Sequence, residues 1–208
     1  YLGIKTIVLA GEKIEGIYDK VKVPEDFLAI RRINGRGKAC LPGFIDSHVH
    51  IIGGGGEGGF GTRTPEINVK TLTSVVGCLG TDSVCRNMET LLAKANALEE
   101  EGITAYCYTG SYDIPVKTLT GSIKKDVILI EKIIGVGEIA LSDHRSTQPT
   151  YDEFIRAVSE TRVGGLLSGK AGIVNIHLGD GKKKLDYLFK MIEETEIPTT
   201  QLLPTHLN

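Results

Sequence analysis

The sequence has no tryptophan and is poor in several other features, and these absences narrow the classes of protein it encodes. Its 24 lysines and arginines are outnumbered by 26 acidic residues, so it has no positive excess for binding nucleic acid. Its apolar runs are shorter than the ~18 residues of a transmembrane helix, so we expect no membrane association. The remainder, 41% hydrophobic and 24% charged among 208 residues, is typical of a globular protein with a sizeable core.

Cysteine is also scarce, and the complete set is Cys40, Cys78, Cys85 and Cys107. No two of them form a Cys-x-x-Cys pair, and most lie in apolar runs. We interpret them as buried, reduced thiols rather than disulfides, which indicates a cytoplasmic protein.

The first 41 residues differ in pattern from the rest. Short β-rich segments at residues 5–10 and 13–18 are separated by Gly11, and Pro24 and a polar segment follow them. This spacing predicts a partial small domain of the β-sandwich type over residues 1–41. It contains no candidate catalytic residue.

From residue 42 onward, strand-like and helix-like patterns alternate, which predicts an α/β fold with a parallel sheet. The predicted strands are residues 43–50, 74–80, 104–109, 135–140, 173–177 and 202–206, and the predicted helices are residues 88–101, 122–134, 151–161 and 183–194. A (β/α)8 TIM-like barrel and an open doubly wound sheet both have this alternation. The barrel is favoured because candidate polar residues follow several different strands rather than one switch point.

Only about six β/α units are present, so residues 42–208 would be the first part of a barrel, truncated before its last strands. The connection at residues 66–73 is short for a crossover, which normally takes a dozen or more residues. We therefore expect that residues are absent near this point.

Histidines and one glutamate provide the candidate chemistry. His48 and His50 end the first predicted barrel strand, His177 ends the fifth and His206 the sixth, while Glu138 lies in the fourth. Residues i and i+2 of a strand share a face, so the first two imidazoles can bind one ion. Imidazole and carboxylate both suit zinc, and a carboxylate can bridge two cations ~3.5 to 4 Å apart. The set predicts a two-metal site that hydrolyses an amide or ester; hydrogen-bonded core histidines and a structural buried glutamate are the alternatives.

Several motifs carry a resemblance to a known family. Residues 42–50, Pro-Gly-Phe-Ile-Asp-Ser-His-Val-His, with later single histidines at strand ends, resemble the metal-dependent amidohydrolase superfamily. More narrowly, the chain resembles the isoaspartyl (β-aspartyl) dipeptidases at residues 52–57 (IGGGGE), 80–82 (GTD), 109–112 (TGSY), 142–145 (SDHR), 162–167 (RVGGLL) and 203–208 (LPTHLN). The resemblance runs from about Lys38 to the last residue.

This resemblance implies a metallo-dipeptidase that hydrolyses β-aspartyl dipeptides with a metal-activated hydroxide. It implies two Zn²⁺ ions per active site, the first held at the positions of His48 and His50 and the second at those of His177 and His206, with Glu138 as the bridging ligand. The family also implies a homo-oligomer, with a small dipeptide as its binding partner.

The resemblance implies roles for substrate-binding residues as well. Glu57 matches the acid that holds the free α-amino group, and Gly55 and Thr81 match positions that hold the α-carboxylate of the β-linked aspartate. Arg145 matches an arginine that binds the carboxylate of the leaving amino acid. Tyr112 matches a tyrosine beside the scissile carbonyl, which makes it, with Glu138, an expected catalytic residue.

The sequence departs from the family pattern in two respects. The better-known members bridge their metals with a carboxylated lysine, whereas the matching residue here is the shorter Glu138. A late aspartate, expected to be a metal ligand and general base, and a second substrate arginine would lie beyond residue 208.

Other interpretations remain open at this point. Tyr112 and Thr81 would serve as ordinary loop residues, and Arg145 would pair only with Asp143. The protein would then be another binuclear amidohydrolase, acting on cyclic amides or as a deaminase, or a non-catalytic barrel that has lost its metals.

Overall fold

The computed structural model describes residues 1–19, 31–68 and 72–207. Two compact units are present, Tyr1–Leu41 and Pro42–Asn208. The part of the first unit around Pro24 lies outside the described residues, as does the segment 69–71. The expectation that residues are absent near 66–73 therefore stays a prediction.

The first unit contains an antiparallel pair of strands, β1 (Lys5–Ala10) and β2 (Lys13–Asp19). The chain reverses at Gly11, whose φ of 59° lies in the left-handed region that glycine adopts without steric cost. The ladder register shifts between Val8 and Leu9. The two predicted β segments are thus strands of one hairpin.

The second unit is built on a parallel sheet of six strands that curls into a half-barrel. The strands are β3 (Ile45–Val49), β4 (Ser74–Gly77), β5 (Thr104–Thr109), β6 (Ile133–Leu141), β7 (Ile173–Leu178) and β8 (Leu202–Thr205). Their order in the sheet follows the sequence, and each strand pairs in parallel with the next. This confirms the predicted α/β class and the partial TIM-like barrel, and it excludes an open sheet with a switch point.

The described residues contain four α-helices, which connect the strands from β4 to β8: α1 (Met88–Glu100), α2 (Ile123–Leu129), α3 (Tyr151–Ser168) and α4 (Asp186–Glu194). Capping boxes begin two of them, Asn87 with Thr90 at α1 and Thr150 with Glu153 at α3, so the orphan backbone N–H groups there are satisfied. Single 3₁₀ turns lie at Phe60–Thr62 and Thr199–Gln201. No described helix combines the length and the apolar content needed to cross a bilayer.

The helix boundaries differ from the predicted ones for identifiable reasons. α2 ends at Leu129 rather than residue 134, because Ile133 and Ile134 enter β6. α3 runs to Ser168 rather than residue 161, because Gly164 and Gly165 do not break it. A Cβ on Gly165 would lie 2.6 Å from the Cα of Gly172, so this glycine permits a close backbone approach. α4 begins at Asp186, three residues later than predicted.

The strand ladders are irregular at two places that matter for the site. The β3–β4 register shifts between Asp46 and Val49, and the β6–β7 register shifts between Val136 and Ile139. These intervals contain His48 and Glu138. Irregularities of this kind re-aim a side chain next to an active site, and both side chains belong to the cluster described next.

Candidate active site

Glu138 lies at the centre of a histidine cluster and is fully buried. Its Oε2 atom is 3.4 Å from Nε2 of His48 and 3.6 Å from Nε2 of His50. Its Oε1 atom is 2.8 Å from Nδ1 of His177 and 3.7 Å from Nε2 of His206. Each carboxylate oxygen therefore faces one pair of imidazoles. The first pair lies in and directly after β3, and the second lies in β7 and directly after β8.

The outer ring nitrogens of the first pair orient these imidazoles. Nδ1 of His48 is 3.0 Å from the side-chain oxygen of the buried Asn175, and Nδ1 of His50 is 3.2 Å from the backbone oxygen of Cys78. Both partners offer an acceptor oxygen, so when each Nδ1 donates its proton outward, the neutral ring presents the lone pair of Nε2 toward Glu138. Such outer partners fix the tautomer of metal-binding histidines.

The negative charge of Glu138 favours a cation among the histidines. Burial alone would raise the pKa of Glu138, but His177 and His48 outweigh it and hold this pKa at about 2. Burial likewise lowers the pKa of His48, but the Glu138 carboxylate raises it overall. Among the described residues, Oε2 of Glu138 finds no hydrogen-bond partner. A buried anion with facing lone pairs fits a bound cation.

Two overlapping groups of ligand atoms are spaced closely enough to hold metal ions. The first comprises His48, His50, Cys78 and Glu138, and the second Glu138, His177 and His206. The atoms of each group lie within 4.8 Å of one another. Glu138 belongs to both groups, which is the position of a bridging ligand.

His177 connects this cluster to polar residues around it. Its Nδ1 is 2.9 Å from the hydroxyl of Tyr112, and its Nε2 is 3.0 Å from Oδ2 of Asp143 and 2.9 Å from a guanidinium nitrogen of Arg145. When Nε2 donates its proton to Asp143, Nδ1 is free to bind a cation. Burial raises the pKa of Tyr112, and the nearby Glu138 charge adds to this, so its phenol stays protonated and can donate.

Thr81 and Arg145 both contact Glu57. The Thr81 hydroxyl donates to Oε1 of Glu57 over 2.8 Å, and Nη1 of Arg145 donates to the same oxygen over 3.3 Å. Arg145 also makes a two-point ion pair with Asp143 over 2.7 and 2.9 Å, so its guanidinium serves more than one partner. Hydrogen bonding within the Glu57 segment, then Thr81 and Arg145, lowers the pKa of Glu57.

Residues 53–57 form one wall of a small cavity beside the histidines. Gly55 has a φ of 66°, and a Cβ there would lie 2.7 Å from the backbone oxygen of Thr62, so only glycine fits. The cavity is lined, among others, by His50, Gly55, Glu57, Thr81, Arg86 and Tyr112.

All ten site residues expected from the sequence are described and lie in this region. The sequence reasoning did not assign Cys78, Asn175 or Arg86 to the site. Only Arg86 had a visible signal, since it follows the Gly-Thr-Asp motif by four residues. The expectation of four buried thiols is wrong for Cys40 and Cys85, which are free but exposed, because both lie in irregular segments.

Comparisons with known proteins agree with this geometry. No family model matches the chain. Two crystal structures of β-aspartyl dipeptidase from the thermophilic, keratin-degrading Fervidobacterium islandicum AW-1 are each 60% identical to it, with TM-scores of 0.79 over 80% of the chain. The second contains a β-Asp-Leu dipeptide. The chain spans 47% and 45% of the lengths of these two structures. At 60% identity and with this shared fold, the chain is similar to the β-aspartyl dipeptidases over 80% of its length.

Proposed function

We propose that the protein is a zinc-dependent dipeptidase that hydrolyses β-aspartyl dipeptides, with its active site on the second unit. The observation that carries this proposal is the shared carboxylate of Glu138, whose two oxygens each face a separate histidine pair at 2.8 to 3.7 Å. The relative that holds a β-Asp-Leu dipeptide supports the substrate class.

The donor set supports a pair of zinc ions. His48 and His50 would hold the first ion and His177 and His206 the second, with Glu138 shared, and these nitrogen and oxygen ligands suit zinc. Two bound cations would polarise a carbonyl group and lower the pKa of water, which is the chemistry that hydrolysis of an amide requires. The protonated Tyr112, within hydrogen-bond distance of His177, is placed to donate to the carbonyl oxygen.

The charged residues around the cavity support a substrate with several charges. Glu57 and Arg145 lie 3.3 Å apart and pair with each other. A β-aspartyl dipeptide carries an ammonium group and two carboxylates, so it can exchange this internal pair for one contact to each residue. We assign the ammonium group to Glu57, the α-carboxylate of the aspartate to Gly55 and Thr81, and the carboxylate of the leaving residue to Arg145.

The same pair argues against the other functions considered. A cyclic amide or a nucleobase presents no matching ammonium and carboxylate groups, so Glu57 and Arg145 would have no role in binding it. A barrel without metals would have to neutralise the buried Glu138 by protonating the imidazoles that face it, which leaves several charges to bury. The homo-oligomeric state and the cytoplasmic location stay predictions.

The decisive experiment compares hydrolysis of β-Asp-Leu and α-Asp-Leu by the purified protein, with and without a chelator. We expect cleavage of the β-linked peptide only, loss of activity with the chelator and recovery when Zn²⁺ is added back. Cleavage of neither peptide by protein that metal analysis shows to contain zinc would retain the metal site but reject the substrate class. Activity that survives complete metal removal would reject the metal-dependent reaction.

A further inference from the structure

Arg86 is a buried arginine whose side chain holds the glycine-rich loop of the site. It lies just before α1, and its guanidinium reaches across to three backbone oxygens of residues 52–64. Nε donates to Ile52 over 3.3 Å, Nη1 to Gly55 over 3.1 Å and Nη2 to Thr64 over 3.1 Å. The side chain is only 9% exposed, so these bonds are shielded from water.

Asp82 fixes the segment from which Arg86 projects. Its Oδ1 accepts from the backbone N–H groups of Val84 and Cys85, which shapes the turn before α1. Its Oδ2 pairs with Arg63 of the loop over 2.8 Å and lies 3.8 Å from Nη1 of Arg86. Asp82 thus balances the buried guanidinium and provides a second connection between turn and loop.

The loop needs an anchor because its own composition provides little order. Gly53, Gly55, Gly56 and Gly59 all have positive φ, and glycine loses more conformational freedom on ordering than other residues do. The large apolar side chain of the loop, Phe60, is 88% exposed and contributes little burial. Hydrogen bonds between Gly54 and Thr64 and a bridge between Gly55 and Arg63 close the base of the loop, and a turn from Gly56 to Gly59 spans Glu57. These bonds stay within the loop, whereas Arg86 joins the loop to the segment before α1.

We propose that Arg86 is a positioning residue for substrate binding. This role rests on the function proposed above. Arg86 holds the backbone of Gly55 in the geometry that receives the α-carboxylate of the substrate. Through Gly55 it also positions the Glu57 carboxylate, which receives the ammonium group. A planar guanidinium presents its donors in a fixed fork, so it holds the three carbonyls in one geometry more rigidly than a lysine ammonium on a flexible stem would. Arg86 itself does not touch the reacting atoms.

The kinetic test uses Arg86→Ala and Arg86→Lys, with Arg162→Ala as the matched control. Arg162 is a half-buried arginine on α3 that donates to Gln201, away from the loop. For Arg86→Ala we expect KM for β-Asp-Leu to rise about tenfold or more, since charged contacts to substrate are misplaced. We expect kcat to change far less than KM, and the zinc content to stay unchanged. Guanidinium ion, added well below denaturing concentrations, should restore KM in Arg86→Ala but not in Glu57→Gln. The KM of Arg86→Lys is expected to lie between those of the parent protein and Arg86→Ala.

A proteolysis test is independent of activity. Trypsin cleaves after Arg63, in the loop, and mass spectrometry identifies the Arg63–Thr64 cut. We expect this cut to be about tenfold faster in Arg86→Ala than in the parent protein or in Arg162→Ala, and guanidinium ion to slow it, because local opening exposes the loop. If Arg86→Ala does not fold, Arg86→Lys gives the same comparison.

The outcomes separate the two proposals. A parent protein that cleaves β-Asp-Leu, together with an Arg86→Lys variant of unchanged KM and unchanged cutting at Arg63, would overturn the positioning role and leave the function intact. A parent protein inactive on β-Asp-Leu would overturn the function, while faster cutting in the variants would still support the anchoring of the loop by Arg86. A variant that loses zinc and kcat together with KM would show a general structural role and overturn the proposal.

Discussion

At the scale of single residues, position 138 is the most informative. A glutamate is shorter than the carboxylated lysine of better-known relatives, so it must approach the metal positions more closely. Glu138 follows Gly137 where the β6–β7 register shifts, and its oxygens come within 2.8 to 3.7 Å of four imidazole nitrogens. The carboxylate of Glu138 thus reaches all four imidazoles from a locally irregular part of the strand.

Glu57 provides a residue-scale prediction about substrate binding. We expect Glu57→Gln to raise KM for β-Asp-Leu and to lower kcat/KM by about 10- to 100-fold, because an amide replaces a charged partner of the ammonium group and such contacts are worth about 1.5 to 3 kcal/mol. Steady-state kinetics of purified protein measures this. The variant also loses the charge attraction to Arg145, whose Nη1 lies 3.3 Å from the Glu57 carboxylate.

Glu66→Gln is the matched control for this substitution. Glu66 follows the same loop but pairs with Lys94 on α1 over 3.0 Å. Removing an exposed ion pair of this kind changes stability little, and we expect its kinetics to equal those of the parent protein. Equal kinetics for both variants and the parent would remove Glu57 from the substrate site.

At the scale of elements, Lys170 explains why α2 is short. Its ammonium group donates to the backbone oxygens of Val127 and Ile130 over 2.7 Å each and of Ile133 over 3.2 Å. These carbonyls lie at the end of α2 and the start of β6. Since the last carbonyls of a helix lack partners within it, a lysine from the α3–β7 connection stabilises the early end.

Lys170→Met is expected to lower the free energy of unfolding by about 2 kcal/mol, since hydrogen bonds from a charged donor are lost and partly buried acceptors are left unpaired. Urea denaturation followed by circular dichroism measures this change. Lys125→Met, at an exposed position on α2 itself, is the control and should change stability by less than about 0.5 kcal/mol. Equal stability of the two variants would show that water replaces Lys170 at no cost.

The elements also show what sequence patterns can and cannot predict. Strand positions were predictable because the apolar runs are short and end in histidines or glycines, as at Ile173–Leu178. The end of α2 was not predictable, because apolar residues recur on both sides of the helix–strand boundary, at 127–130 and 133–134, with only Glu131 and Lys132 between them. The capping Lys170 is also distant in sequence. α3 continues past the predicted end at residue 161 because Gly164 and Gly165 stay helical, and the tertiary contacts that favour glycine there leave no mark in the sequence pattern.

Some residues of the candidate site were predictable from the sequence and others were not. The histidines and Glu138 were predictable because parallel strands bring their carboxyl ends to one rim of a barrel, whatever the connections between them. The register shifts at His48 and Glu138 leave no mark in the residue pattern. Arg86 was missed because its position four residues after the Gly-Thr-Asp motif does not by itself indicate a role, and that role depends on three carbonyls that lie 22 to 34 residues away.

At the scale of the whole molecule, the site joins parts of the chain that are distant in sequence. The candidate ligands come from β3, β6 and β7 and from the ends of β3 and β8. Without cations, the imidazoles that face Glu138 must be protonated or set their lone pairs against its oxygens. Bound metal would therefore hold the rim of the half-barrel together as well as supply chemistry.

Metal removal should then destabilise the protein. A ligand that binds only the folded state stabilises it by about 2.7 kcal/mol at 100 times its dissociation constant. For a chain of this size, 1 kcal/mol corresponds to about 2 to 4 °C in Tm. We expect a chelator to lower Tm by about 5 to 10 °C and Zn²⁺ to restore it, measured by scanning calorimetry with metal analysis of the same samples. In Glu138→Gln, which lacks the shared anion, Tm should be nearly insensitive to chelator, whereas Glu66→Gln should respond as the parent does. A parent protein that loses all its metal with no change in Tm would show that the rim is held by strand pairing and core packing alone.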